Sequence, residues 1–439
     1  MTIRMDEGAA ELLDTLHKAG YAAYVVGGCV RDSLLGLTPH DWDLCTSALP
    51  QQVMELFGAQ RCIPTGLQHG TVTVKQSGAL YEITTFRTEG TYTDGRHPDE
   101  VHFVPDVRED LARRDLTINA MAYNEKEGLV DPFGGQADLQ SGIVRAVGVP
   151  RQRFTEDALR ILRLYRFAAR FGFAIDPPTA QAAQELCAHL DCVSVERIEE
   201  ELAKLLSAPA PAAYLNEKIL LVILPELSSE ALAAAKPVVD ACPAGAENLP
   251  IRLAALLYSL GEDGIRRTLK RLRCSNALIE EAAVLVREAR GCDGSFLFGH
   301  DSGHSIASPS AFGNRVPPQR TVLRETTVTP DFTIYARRLL GKYNLCTVQR
   351  LAALGTALQP ERAADFAALS ELAEQLDADG VCCRVSQLAV NGRDLMAAGV
   401  PAGPGIRKVL EALLDGVIRE EYPNERQALL AAVQQLAAS

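Results

Sequence analysis

The chain has 439 residues, 47% of them hydrophobic and 23% charged, with a formal net charge of −12. That length supports two to four domains and at least one large core, in the composition range of soluble globular proteins. The acidic balance excludes a protein that coats nucleic acid by bulk charge, so any nucleic-acid contact needs a local basic patch.

The N-terminal MTIRMDEGAAELLD has no apolar core of a secretory signal, and no apolar run is long enough to span a membrane. The 11 cysteines include no C-x-x-C pair, so they form neither a zinc nor a disulfide framework and fit a reducing cytoplasm.

Residues 5–19 read as an amphipathic helix leading into a buried strand at 22–26. Gly27 and Gly28 end that strand with a sharp turn, and 30–35 read as a helix. The turn therefore sits at a helix N-terminus, where free N–H groups and the helix dipole favour phosphate. Arg31 adds a planar cation suited to phosphate oxygens. A second strand is expected to begin near Asp41. Strand side chains alternate, so Asp41 and Asp43 point the same way on either side of Trp42. Two hard oxygen ligands beside a phosphate-binding turn suit Mg²⁺. A D-x-D alone is commonly an exposed pair; the turn and the pair in this order and this close are more specific.

GGCVRDSLLG followed by DWDL resembles the first motif of the class II nucleotidyltransferases, the CCA-adding enzymes and bacterial poly(A) polymerases of the DNA polymerase β-like superfamily. The resemblance implies an α+β protein. An N-terminal nucleotidyltransferase head (1–140), with a mixed sheet of about five strands, would precede an all-α neck, body and tail. It makes Asp41 and Asp43 the catalytic ligands of Mg²⁺, with Gly28 and Arg31 at the nucleotide.

Further along, 50–57 read as a helix and 71–74 and 80–86 as strands. The polar stretch 89–99 reads as a loop, and its DGRHPD resembles the flexible loop that lets CCA-adding enzymes accept A after C. DLARRDLTINAMAYN (110–124) combines two arginines and an aspartate with an apolar, helix-like run. It resembles the family's second motif, which implies that Arg114 holds nucleotide and Asp115 meets the ribose, favouring NTP over dNTP. In 130–148, Gly134 and Gly135 make a turn and Asp138 is a candidate cap.

Residues 153–173 read as a single helix capped by Thr155, with Asp157, Arg160, Arg163 and Arg166 recurring every three residues. A salt-bridged amphipathic helix accounts for that spacing. A sharper reading follows from base chemistry. Cytosine and adenine both present an amino donor beside a ring-nitrogen acceptor, and a carboxylate beside a guanidinium matches both. Uracil and guanine present the reverse, and a mispaired buried group costs about 1–3 kcal/mol. EDALR resembles the family's E-D-x-x-R motif, which implies that Asp157 and Arg160 act as an amino-acid template for CTP and ATP. By the same resemblance, Arg163 and Arg166 reach the nucleotide, with the triphosphate as their target. This templating helix belongs to the neck (141–206). The following helix, 194–206, reads as capped by Ser194 and resembles a supporting motif without chemistry of its own.

From 207 onward the chain is Ala- and Leu-rich with helical periodicity, as at 251–260, 279–290, 363–376 and 409–418. The expected parts are a body (207–294), an irregular insertion (295–332), and a body and tail (333–439). The tail resembles the family segment that holds the acceptor end and TΨC region of tRNA. Arg266, Arg267, Lys270, Arg271 and Arg273 make either a phosphate-binding stripe or a solvated helix face. His300, Asp301 and His304 carry no metal assignment. The resemblance as a whole implies a cytoplasmic enzyme that adds C, C and A to tRNA from CTP and ATP. The alternatives are an A-adding enzyme and a poly(A) polymerase.

Overall fold

Four consecutive buried residues, Ala23–Val26, form an interior strand (β1) of a seven-stranded mixed sheet. The structure, a computed structural model, describes residues 3–90, 101–291 and 330–436. The chain divides into two compact units. One comprises Met1–Asp240, Ala244–Leu249 and Arg267–Ser275; the other comprises Ala241–Pro243, Pro250–Arg266 and Asn276–Ser439.

In the first unit, α1 (Glu7–Lys18) is capped by Asp6, which accepts from the N–H groups of Gly8 and Ala9. After β1 come α2 (Gly28–Leu34), β2 (Leu44–Thr46), α3 (Pro50–Phe57), β3 (Cys62–Gly66), β4 (Thr71–Gln76) and β5 (Ala79–Thr85). The pair β6 (Arg87–Glu89) and β7 (Val101–Phe103) stands apart and is antiparallel. It brings together the two flanks of the polar loop, whose residues 91–100 lie outside the described residues. Next are α4 (Val107–Ala112), β8 (Ala122–Asn124), β9 (Gly128–Val130) and α5 (Gly135–Ser141). The sheet order is β3-β4-β5-β2-β1-β8-β9, with β2 and β5 parallel and the other neighbours antiparallel. Tyr24, Val26, Cys45, Phe86, Leu111 and Ala122 meet in one core cluster behind it.

Several local expectations change. The sheet has seven strands rather than about five, because β3, β8 and β9 are too short to show a period. The run after Asp115 is not a helix: one tight turn, Thr117–Asn119, delivers the chain into β8. Asp138 caps nothing. It accepts from Thr117 Oγ1 at 2.7 Å and pairs with Arg145, while Asp131 caps α5 through the N–H groups of Gly135 and Gln136.

The expected helix 153–173 is two helices, α6 (Pro150–Glu156) and α7 (Leu159–Phe171), joined by the short pair β10 (Ile143–Val144) and β11 (Ala174–Ile175) to the rest of the neck. The break falls at Asp157, whose backbone is extended (φ −145°, ψ 107°). Thr155 is not a cap; its hydroxyl donates back to the Arg151 carbonyl. The helices α8 (Pro177–Glu185) and α9 (Val195–Leu206) follow. α9 starts after Ser194 as expected, without a hydrogen bond from that hydroxyl.

The remaining described elements are helical: α10 (Glu217–Ile223), α11 (Ser229–Ala241), α12 (Leu249–Leu256), α13 (Gly261–Arg271), α14 (Asn276–Gly291), α15 (Pro330–Lys342), α16 (Leu345–Leu358), α17 (Ala363–Ala378), α18 (Gly392–Ala397), α19 (Pro404–Ile418) and α20 (Arg426–Leu436). α15 starts at Pro330, inside the stretch expected to be irregular; the rest of that stretch, with His300, Asp301 and His304, lies outside the described residues. In the second unit, α16 and α17 pack so closely that a Cβ on Gly355 would overlap the Phe366 ring. α18, α19 and α20 share a core of Leu395, Leu413, Val417, Leu429 and Val433. The basic stripe is largely paired with acids: Arg266 with Glu262 and Glu280, Arg271 with Glu226, and Arg273 with Glu196.

Candidate active site

The glycine turn works through Gly27 rather than Gly28. Gly27 has φ +79°, a conformation that costs L-residues dearly, and its N–H bonds the Met121 carbonyl at 3.0 Å. A Cβ there would come within 2.8 Å of Arg114 Nη1, whereas one on Gly28 would meet only Arg31 Nη2 at 3.7 Å. Strand β2 starts at Leu44, so Asp41 and Asp43 lie in the chain that enters it. The Asp43 carbonyl still accepts from Val26 N–H at 2.9 Å, which locks this entry against β1. Both aspartates are exposed and Trp42 between them is half-buried.

The Asp43 carboxyl is raised above its ordinary value. Crowding by the surrounding protein is the main cause; Arg114 opposes it, and the charges of Glu82 and Asp41 add to it. Negative charge is thus concentrated here with incomplete compensation. Among the described residues no three His, Cys, Asp or Glu side chains form a metal-holding group. Two carboxylates that leave places for phosphate oxygens and water are a donor set suited to Mg²⁺.

Arg31 lies elsewhere than an open phosphate face. It is 4% exposed; Nε and Nη2 bond Asp32, Nη1 donates to Asn119, and the guanidinium lies 4.9 and 5.1 Å from the rings of Phe167 and Phe171. Its position makes it a strut between α2 and α7. Arg114 does face the site: it ion-pairs with buried Asp110, and its Nε is buried without a hydrogen-bond partner among the described residues.

Arg114, Asp115, Asp157, Arg160, Arg163 and Arg197 line one cavity of about 290 Å³. Asp115 is buried, which alone would raise its pKa. The Arg163 guanidinium, with Nε and Nη2 both 2.7 Å from Oδ2, outweighs this together with Arg160 and the Asn119 amide, and holds the carboxyl far below the usual range. Asp157 and Arg160 share the cavity but do not pair with each other. Asp157 accepts from Leu159 N–H at 3.0 Å and from Arg197 at 2.7 Å. Arg160 bonds Glu156 at 2.6 Å and the Arg113 carbonyl at 3.1 Å. Arg166 does not line this cavity. It is buried beneath it, paired with Glu201 and 3.9 Å above the Phe167 ring. A larger cavity of about 620 Å³, between Ile3, Asp6, Leu37 and Trp42, contains none of the expected nucleotide-binding residues.

Three family models match the chain: the poly A polymerase head domain over residues 23–145, a probable RNA and SrmB-binding site of polymerase A over 172–230, and a putative tRNA nucleotidyltransferase domain 2 over 325–433. The CCA-adding enzyme of Levilactobacillus brevis is 34% identical over 431 residues, 97% of each chain. This chain belongs to the CCA-adding enzymes. That of Geobacillus kaustophilus is 33% identical over 429 residues, 97% of this chain and 96% of the other. The crystal structure of the Bacillus stearothermophilus CCA-adding enzyme in complex with CTP superposes with a TM-score of 0.75 at 30% identity, covering 99% of this chain and 98% of that one. The Thermotoga maritima CCA-adding enzyme complexed with tRNA-CCA shares the fold, at a TM-score of 0.67 and 20% identity.

For this CCA-adding enzyme, sequence reasoning missed Arg197, Glu201, Asn119 and Glu82. The first two sit on α9, which was expected only to support its neighbour, yet Arg197 enters the cavity. Their spacing of four on one helix was the available signal: Glu201 meets Arg166 of α7 and Arg197 meets Asp157 just before it. Glu82 gave none, because it acts on Asp43 from an element far away in the chain, and Asn119 gave little, because the Arg31 that anchors it lies 88 residues away even though Asp115 is only four residues off.

Proposed function

We propose that this chain adds C, C and then A to the 3′ end of tRNA, using CTP and ATP and releasing pyrophosphate. The observation that carries the reading is the convergence of Asp157, Arg160 and Asp115 in one cavity with Arg114, which also touches the glycine turn and acts on Asp43. Base, sugar and phosphate functions thereby meet in one place.

The Asp157 carboxylate accepts from the amino group of cytosine or adenine, and Arg160 donates to the adjacent ring nitrogen. Asp115 takes the ribose hydroxyls. Arg114 and Arg163 hold phosphate oxygens, while Arg31 and Arg166 act from beneath, fixing α2 and α7. Asp41 and Asp43 would hold Mg²⁺, which when bound would supply charge stabilisation for the attacking and leaving oxygens. The tRNA 3′ oxygen forms a bond to the α-phosphorus as the bond to the bridging oxygen breaks and pyrophosphate leaves. Among the described residues no helix is long and apolar enough to cross a membrane; we place the enzyme in the cytoplasm with its tRNA substrates. We assign 1–140 to the head, 141–206 to the neck, and the helical remainder to tRNA.

The test is 3′-end sequencing after incubation with Mg²⁺ and tRNAs ending before CCA, after C, or after CC. CCA addition followed by a stop supports the reading. Addition of A only to the CC-ended tRNA makes this an A-adding enzyme, and long A tails make it a poly(A) polymerase.

A further inference from the structure

We propose that Asn119 is a positioning residue for sugar selection: it holds the Asp115 carboxylate in the orientation that receives a ribose hydroxyl, and so sets the preference for ribonucleotides over deoxyribonucleotides. The proposal rests on the reading of Asp115 as the ribose contact.

Asn119 is 5% exposed, at the end of the tight turn before β8, and both ends of its amide are used. Its Oδ1 accepts from Arg31 Nη1. Its Nδ2 donates to Asp115 Oδ1 at 3.2 Å. A guanidinium can only donate and an ionised carboxylate can only accept, so the amide has a single orientation here. Arg31 is a firm anchor, with Nε and Nη2 on Asp32 and aromatic rings against its guanidinium.

Asp115 has its acceptor positions filled. Oδ1 takes Leu116 N–H at 2.8 Å and Asn119 Nδ2; Oδ2 takes Arg163 Nε and Nη2, both at 2.7 Å. A ribose hydroxyl therefore gains access only at Oδ2, and only as an N–H of Arg163 gives way. Arg163 is suited to that: its side chain is 34% exposed against 11% for Arg160 and Arg166, and Glu201 stands 3.8 Å from its Nη1. Once phosphate draws Arg163 off, the contacts on Oδ1 alone orient the carboxylate. The Leu116 N–H is the adjacent backbone group and swings with the same segment. Asn119, braced through Arg31 to α2, sets the rotation about the carboxylate bond and thus where the free lone pairs of Oδ2 point.

The experiment measures kcat/KM for CTP and dCTP in single addition to a tRNA lacking CCA. It compares the wild-type enzyme with Asn119→Asp, Asn119→Ser and Asp115→Ala. Asn119→Asp keeps an oxygen for Arg31 but turns the donor facing Asp115 into an acceptor. The expected result is a fall in the CTP/dCTP ratio of about tenfold or more, driven by loss on CTP with dCTP nearly unchanged. Misfolding lowers both substrates alike and leaves the ratio alone, and Asn119→Ser is read in the same way should the charged variant fail to fold. A wild-type ratio in both Asn119 variants, while Asp115→Ala lowers it, overturns the role of Asn119 and leaves the proposed function standing. A wild-type ratio in Asp115→Ala overturns the ribose reading itself.

Discussion

Arg197 Nη2 donates to Asp157 Oδ2 at 2.7 Å, so an arginine in the first turn of α9 holds the carboxylate at the break between α6 and α7. The other Asp157 oxygen has only the Leu159 N–H among the hydrogen bonds described. Removing Arg197 leaves the Asp157 carboxylate on one anchor. Arg197→Met is expected to lower the CTP-over-UTP preference by about tenfold, with tRNA affinity unchanged by filter binding. An equal loss on both nucleotides would assign Arg197 to stability alone.

Asp41 is exposed, and none of the described ion pairs involves it. Asp41→Ala should therefore fold with a wild-type melting temperature and bind tRNA normally. Its nucleotide incorporation should drop on the order of 10³-fold or more. Turnover near the wild-type rate would remove Asp41 from the metal site.

Asp115 links acid sensitivity to the site. Its folded-state pKa lies below the unfolded value of about 4, because Arg163, Arg160 and Asn119 outweigh its burial. The stabilisation is thus fully present above about pH 4 and is lost as the pH falls through the lower folded value. Asp115→Asn should lose stability at pH 7 by on the order of 1–3 kcal/mol. The gap from wild type should close in acid, as followed by denaturant unfolding at several pH values. A gap independent of pH would show that the Arg163 ion pair is not its source.

Gly27 and Gly28 should answer alanine differently. Gly27→Ala meets both a positive φ and Arg114 Nη1, so a destabilisation of about 1–2 kcal/mol is expected along with weaker nucleotide binding. Gly28→Ala, at the start of α2 with Arg31 Nη2 at an ordinary contact distance of 3.7 Å, should cost less than about 1 kcal/mol. Thermal unfolding of the two variants checks the order; equal losses would contradict it.

The motifs were legible where function packs chemistry into short stretches. GG…D-x-D, R-R-D and E-D-x-x-R pointed to Asp41, Asp43, Arg114, Asp115, Asp157, Arg160 and Arg163; of these the fold brings Arg114, Asp115, Asp157, Arg160 and Arg163 to one cavity, with Arg114 also against Gly27. What sequence did not disclose was which charges are spent on each other. Arg31 and Arg166 look like phosphate ligands in one dimension, but burial against Phe167, with Asp32 and Glu201 alongside, makes them struts. The break at Asp157 was hidden because the hydrophobic period runs through it; only the carboxylate taking Leu159 N–H reveals it. The strands β8 and β9 were missed since three residues have no measurable period, and the pairing of β8 with β1 and of β9 with β8 decides their state.

The central claim is that one carboxylate–guanidinium pair reads the base. The most direct measurement is kcat/KM for CTP and UTP on a tRNA ending before CCA, in wild type and in Asp157→Asn. The isosteric amide can turn its NH₂ toward the uracil carbonyl, so the account predicts that the CTP/UTP ratio collapses by at least about tenfold, with UTP gaining in absolute terms. A ratio that stays at the wild-type value, whatever the loss in overall rate, would contradict it.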